Sequence, residues 1–274
     1  MNVFILAHIL ADFVFHQDSN MIEKRNGSIK GILKHILKVA VFFAIAAIIF
    51  VIVGEIIKSK ILSVITFIGI NIFSHFIFDL TKSKLQKQWL NKNFLLLIVD
   101  QALHLVILVT SYNLILGDSL TSVFQGDYYI VLLIFLLVTT FVSSVVIREI
   151  LNIFHLKSEE EIFNTNEKII KLDADACIVT NTGALSEKTD VEGEAIKANN
   201  VMKAGKWIGI IERAIMFLSI YFNLLGLLTI VVAFKTLTRY ENIKKNPEYY
   251  IIGNLSSILL VLVSYGIFKK FAVI

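Results

Sequence analysis

The chain has 274 residues, 56% of them hydrophobic and 18% charged, with a net charge of +4, one Pro and one Cys. A soluble domain is about 45–50% apolar; here the excess is gathered in long runs, which marks a polytopic membrane protein and gives the basic balance no nucleic-acid meaning. The lone Cys177 excludes an intrachain disulfide and any CxxC metal or redox motif.

In chain order, apolar runs predict membrane helices at 1–15, 32–53, 61–80, 94–116 and 128–147, then at 207–222, 224–239 and 249–268. The expected fold is an all-α polytopic bundle of about eight transmembrane or membrane-dipping helices. Several runs are shorter than the ~20 residues a full span needs. The first is short, follows no basic region and precedes no small-residue cleavage site, so a secretory signal is not expected. Residues 207–239 are too long for one span and predict a hairpin turning near Asn223, although no Pro or Gly pair marks it. The organisation expected is a five-helix half at 1–149, one large soluble loop at 150–206 and a three-helix half at 207–274. The loop, with "HLKSEEEIFNTNEK" and "TNTGALSEKTDVEGE", is charged and has no run long enough to span.

Lys and Arg gather after the first run (Lys24, Arg25, Lys30), after the third (Lys82, Lys84, Lys87, Lys92) and before the last (Lys244, Lys245). Those loops and the large loop fall on one side, the cytoplasmic one, if the N-terminus is outside. Lys269 and Lys270 at the C-terminus disagree with that assignment.

The apolar runs carry ionisable residues in a pattern. His8 and Asp12, His75 and Asp79, and Asp100 and His104 are each four residues apart, so each pair shares a helix face. The first and third helices run one way with His before Asp; the fourth runs back with Asp before His. All three Asp residues therefore lie at one depth, the His residues deeper, and His35 in the second helix sits on the same side. Ionisable groups at this depth cost about 2.5–3.5 kcal/mol each on insertion scales and normally face a partner or a wet cavity. Three carboxylates together also need a compensating cation. Imidazole and carboxylate without thiolate suit Zn, Mn or Fe. The metal set expected is His8, Asp12, His35, His75, Asp79, Asp100 and His104, with His35 as ligand or catalytic base. A proton or ion relay and a structural hydrogen-bond network are the other readings of the same residues. His16 and Gln17 would line the entrance.

The C-terminal half holds a second polar group. Lys235, Arg239 and Arg213 read either as an anion pocket for a phosphate headgroup or as partners of Glu212, with Asn254 as a further structural polar residue. The chain contains no GxxxxGK[ST], GxSxG, HExxH or GxGxxG, so nucleotide, serine-hydrolase and zincin signatures are absent.

The segments "AHILADFVFHQD", "LKHILKV", "FSHFIFDLTKSKL" and "VDQALHLVIL" resemble a bacterial membrane family catalogued as domain of unknown function 3307. Its pattern runs AHxLADFxxQ, LxH, HxxxDxxK and DQxxHxxI. "AGKWIGIIERAIMF", "AFKTLTRYE" and "EYYIIGNLSSIL" resemble the C-terminal half of longer members. His16 departs from the family's usual Gln, with Gln17 adjacent. The resemblance implies a multi-pass protein of the bacterial cytoplasmic (inner) membrane and no activity; family neighbours imply a SatD-like cytoplasmic partner. A looser similarity to YdjM-type membrane proteins, a metal-hydrolase class, is analogy. The function expected is an intramembrane metal-binding protein in contact with lipid, acting as a hydrolase of a lipid or lipid-linked phosphate. Its alternatives are a non-enzymatic scaffold or signalling partner, and an ion or proton translocator.

Overall fold

The computed structural model describes residues 1–15, 29–53, 61–88, 93–117, 128–154 and 188–272, and they are helical with no strand among them. Helix α1 is Asn2–Ile9, continued by one π turn over Leu10–Val14. Then follow α2 (Ile29–Val53), α3 (Ile61–Gln88), α4 (Asn93–Leu116) and α5 (Tyr128–Leu137). A second π turn, Val138–Val142, joins α5 to α6 (Ser143–Ile153). The chain continues in α7 (Lys188–Tyr221), α8 (Leu225–Thr238), α9 (Tyr240–Lys245) and α10 (Pro247–Ala272). The single Pro opens α10, where a missing N–H costs nothing.

Among the described residues five helical stretches are long and apolar enough to cross a membrane: Ile29–Ile52, Ile61–Gln86, Asn93–Leu116, Tyr128–Ile153 and Pro247–Phe271. Asn2–Val14 and Leu225–Thr238 are apolar but shorter. The remaining run of the eight read from sequence is the end of α7. These are the helices of a multi-pass membrane protein. Most of the segment 150–206 lies outside the described residues, as do His16, Gln17 and Asp18. Its last part, from Lys188, is helix and runs unbroken into the apolar end of α7. Polar helix carries no hydropathy signal, which is why the sequence places that boundary later.

The chain divides into two compact units, Met1–Glu149 with Leu262–Ile274, and Ile150–Val261. In the first, α3 packs along α4, α1 and α3 pack on α2, and α1 also meets α5. The faces sort as lipid requires. Helix α2 turns Leu33, Leu37, Val41, Ile45, Ile48 and Ile52 outward at spacings of three and four, and Ile32, His35, Val39, Phe43 and Ala46 inward. Helix α3 likewise exposes Leu62, Ile65, Phe73 and Ile77 and buries Phe67, Asn71, His75 and Asp79. An outward apolar surface this continuous is a lipid surface rather than a water surface. Inside, Phe4, Phe43, Phe67 and Tyr112 form an aromatic layer; Phe4 and Phe67 are fully buried and meet edge to face at 4.8 Å between ring centroids. The C-terminal end of α10 is held to α5 by Phe268 against Phe135 and by Ser264 Oγ, 2.7 Å from Thr139 Oγ1.

In the second unit α7 and α8 form the hairpin expected near Asn223. Asn223 takes φ of +58°. Its N–H donates to the Ile220 carbonyl at 3.0 Å, and the Leu224 N–H reaches back to Ser219 at 2.7 Å. This is a Schellman closure with Asn in the left-handed position that Gly more often fills. Asn223→Val should lower thermal stability by about 1–2 kcal/mol, the cost of a β-carbon in that conformation, whereas Asn223→Gly should leave the midpoint unchanged. Equal midpoints for Val and Gly in detergent-solubilised protein would remove the turn argument.

Candidate metal centre

The π turn is the first local feature that shapes the site. The Phe15 N–H donates to the Leu10 carbonyl, five residues back, at 3.0 Å, so the turn holding Asp12 is wider than an α turn. Asp12 therefore does not stack on His8: His8 Nε2 lies 3.9 Å from Asp12 Oδ2. Asp12 Oδ1 instead faces α2 and α3. It stands 3.3 Å from His35 Nε2 and 3.4 Å from His75 Nε2. Asp79 Oδ2 stands 3.5 Å from His35 Nε2 and 3.6 Å from His75 Nε2. The two imidazole nitrogens are 3.0 Å apart. Two carboxylate oxygens thus face the same pair of ring nitrogens, and the four atoms come from three helices. His35 and His75 are 2% exposed and Asp79 is 1% exposed.

Protons satisfy this arrangement poorly. A 3.0 Å pair of ring nitrogens shares one hydrogen, and Asp12 Oδ1, buried 3.3 and 3.4 Å from the two rings, meets neither in well-aligned hydrogen-bond geometry. A poorly satisfied buried acceptor costs up to about 1–3 kcal/mol of lost solvation. The separations have another meaning. Ligands of one ion with bonds of about 2.0–2.1 Å lie about 3.3–3.4 Å from each other in a tetrahedral set, close to the 3.3–3.6 Å by which each carboxylate oxygen stands from the two nitrogens.

The other expected residues converge on the same place in different ways. Gln101 Nε2 lies 3.2 Å from Asp12 Oδ2 and 3.3 Å from Asp100 Oδ2. Carboxylates only accept, so the amide nitrogen must face them, and Gln101 Oε1 then takes a hydrogen bond from His8 Nε2 at 3.2 Å. His8 is therefore protonated on Nε2, and only its Nδ1 keeps a lone pair. Asp100 Oδ2 also receives Lys82 Nζ at 2.6 Å. His104 donates from Nδ1 to the Asp100 backbone carbonyl at 2.7 Å, which leaves its Nε2 lone pair buried without a hydrogen bond. The three deeper rings lie side by side, His75 with His104 at 4.0 Å between centroids and His8 with His104 at 5.4 Å. A cavity of about 10 Å³ for water centres, lined by His8, Asn71, Ser74 and His104 among others, lies against this ring layer, the size of roughly one water molecule.

All seven expected residues are thus assembled in one cluster, and ligand atoms group within 4.8 Å as His8, Asp12, His75; as His35, His75, Asp79; and as Asp79, Asp100, His104. Sequence reasoning did not assign Gln101 or Lys82 to the cluster. Both stand in the family pattern, Lys82 as the K of HxxxDxxK and Gln101 as the Q of DQxxHxxI, but periodicity gives neither a place in the site.

The basic residues of the second unit sit differently. Lys235 Nζ lies 3.1 Å from Glu212 Oε2 and 3.0 Å from Ser257 Oγ. Arg239 approaches the same carboxylate at 3.3 Å and Asn254 Oδ1 at 3.4 Å. Arg213, one turn beyond Gly209, lays its guanidinium 3.3 Å from where a β-carbon on that glycine would stand. Lys235 and Arg239 are bound into a Glu212-centred network across α7, α8 and α10.

Fold and cluster together define a class: a multi-pass helical membrane protein whose first unit encloses buried imidazoles and carboxylates on four helices. Residues 1–133 match the family model described as "Protein of unknown function (DUF3307)", and those residues include all seven of the cluster. No curated protein and no solved structure matches the chain.

Proposed function

We propose that the protein binds a divalent metal ion within the membrane, through Asp12 Oδ1, His35 Nε2, His75 Nε2 and Asp79 Oδ2. The observation that carries this is that buried oxygens of Asp12 and Asp79 each stand 3.3–3.6 Å from the same two ring nitrogens, which are themselves 3.0 Å apart. A purely structural hydrogen-bond network would give that Asp12 oxygen a well-aligned donor. A translocator needs a polar path onward, and the packed layer of Phe4, Phe43, Phe67 and Tyr112 lies one to two helical turns beyond the rings. Two nitrogens and two oxygens suit Zn, with Mn and Fe as further occupants.

The chemistry such an ion supplies is activation of water at neutral pH, and a site at this depth would act on a lipid or lipid-linked phosphate. Four protein donors make a closed set, whereas catalysis needs an open position. His35 is the donor whose helix contributes no carboxylate to the cluster, and it is the residue that would leave the ion and serve as base. An anion role for Lys235, Arg239 and Arg213 competes with their service to Glu212.

Full-length protein purified in mild detergent should carry stoichiometric Zn, Mn or Fe by elemental analysis. Chelation should lower its thermal midpoint and readdition restore it. Glu241→Ala, at an exposed carboxylate of the second unit, should change neither result. Absence of bound metal after supplementation with all three ions across pH would overturn the proposal.

A further inference from the structure

The four-atom site leaves two buried atoms unexplained. Asp100 Oδ1 and His104 Nε2 have no hydrogen bond, and both side chains are 5% exposed. Neither belongs to the four-atom set. Asp100 and His104 form with Asp79 the third group of residues whose ligand atoms, one from each, lie within 4.8 Å of one another. Asp79 is therefore common to two adjacent groups, His35–His75–Asp79 and Asp79–Asp100–His104. Carboxylates shared in this way bridge paired ions about 3.5–4 Å apart.

Charge decides when a second ion enters. Asp12, Asp79 and Asp100 bring three negative charges, and Lys82, on Asp100 Oδ2 at 2.6 Å, returns one positive charge. One divalent ion makes the cluster neutral. A second ion alone would leave two uncompensated positive charges in a water-poor site, which is strongly unfavourable. A dianion bound at the same time restores neutrality, and a phosphate monoester offers oxygens to both ions at once.

Resting on the metal reading above, we infer that Asp79, Asp100 and His104 form a second divalent-ion position, filled only together with a phosphate-type dianion. Asp79 bridges the two ions, Asp100 contributes Oδ1 while Lys82 holds Oδ2, and His104 contributes Nε2, its Nδ1 being fixed by the Asp100 carbonyl. The deeper polar groups thereby acquire a role distinct from that of the first ion.

The test is a Mn²⁺ titration of the full chain followed by electron paramagnetic resonance, in three arms: detergent alone, detergent with inorganic phosphate, and vesicles of phosphatidylcholine with phosphatidic acid. Detergent alone should give one ion per chain with an isolated six-line spectrum. A dianion arm should give two ions and an exchange-coupled spectrum. Coupling with inorganic phosphate means that free phosphate suffices; coupling with phosphatidic acid alone identifies a lipid headgroup; either supports the inference. His104→Phe should keep the first ion at unchanged affinity and lose the second, and should the variant fail to fold, the wild-type arms still decide. One ion per chain in all three arms would overturn the second position while leaving the first intact. Two ions without any dianion would overturn the anion coupling. No ion at all would overturn the reading beneath it.

Discussion

Asp79→Ala protein should lose its metal yet fold, and should withstand heat without metal at least as well as the wild type does without metal. Asp79 contributes one of the four proposed ligand atoms and belongs to two of the three ligand groups. Changing even an outer partner of a ligand costs about 10–100-fold in metal affinity, so deleting a ligand should cost more than about 100-fold. The stability result has the opposite sign from an ordinary core deletion. Without an ion, three carboxylates share a buried cluster with Lys82 as the ammonium partner of Asp100, and removing one relieves repulsion. With an ion, the wild type gains the linkage term, about 2.7 kcal/mol at a metal concentration a hundredfold above the dissociation constant, and Asp79→Ala gains none. Thermal unfolding of both proteins with and without Zn²⁺ gives all four values. If Asp79→Ala is destabilised equally in both conditions, Asp79 is a packing and hydrogen-bonding residue and the metal reading fails at its centre. Asp12→Ala should behave in the same way.

Much of this site was legible in the sequence because lipid imposes one simple rule on helices. Apolar side chains turn outward, so an imidazole and a carboxylate four residues apart in an apolar run must share the inward face, and reversed order on the fourth run sets the Asp residues level. Phe67, Asn71, His75 and Asp79 do line one buried stripe of α3, and Asp100, His104 and Leu108 another on α4. What periodicity does not carry is the distinction among the seven residues. The π turn that swings Asp12 away from His8 and onto His35 and His75 has no propensity signature in "LADFV". Gln101 turning His8 into a hydrogen-bond donor is a relation across helices, and relations of that kind appear only when the helices are docked. Asn223 shows a nearer miss, since a single Asn serves where a Gly or Pro pair was sought. The start of α7 was not legible, because hydropathy is silent on a polar helix.

Lys82 carries the other large effect. From sequence it belongs to the basic flank of the third run, where a snorkelling lysine is worth little. In the structure its Nζ lies 2.6 Å from Asp100 Oδ2, with side chains 17% and 5% exposed. Removing one partner of a buried pair costs about 3–5 kcal/mol because the other charge is left without compensation. Water reaching the partly exposed ammonium puts Lys82→Ala at the lower end, about 3 kcal/mol. A lysine acting only as a topology marker would cost about 0.5 kcal/mol or less. The double variant Lys82→Met with Asp100→Leu should recover most of the loss, since removing both charges leaves nothing buried and unpaired. The metal gives an independent check of sign. Lys82→Ala makes the cluster more negative, so a divalent ion should bind it more tightly than the wild type, and saturating Zn²⁺ should restore a large part of the lost stability. A simple lesion in packing would be indifferent to Zn²⁺. Denaturant unfolding of the two variants and the wild type, each with and without Zn²⁺, measures the pair and its coupling to the ion together. A Lys82→Ala protein as stable as the wild type without metal would show that Asp100 needs no ammonium, and the charge count on which the two-ion site rests would fall with it.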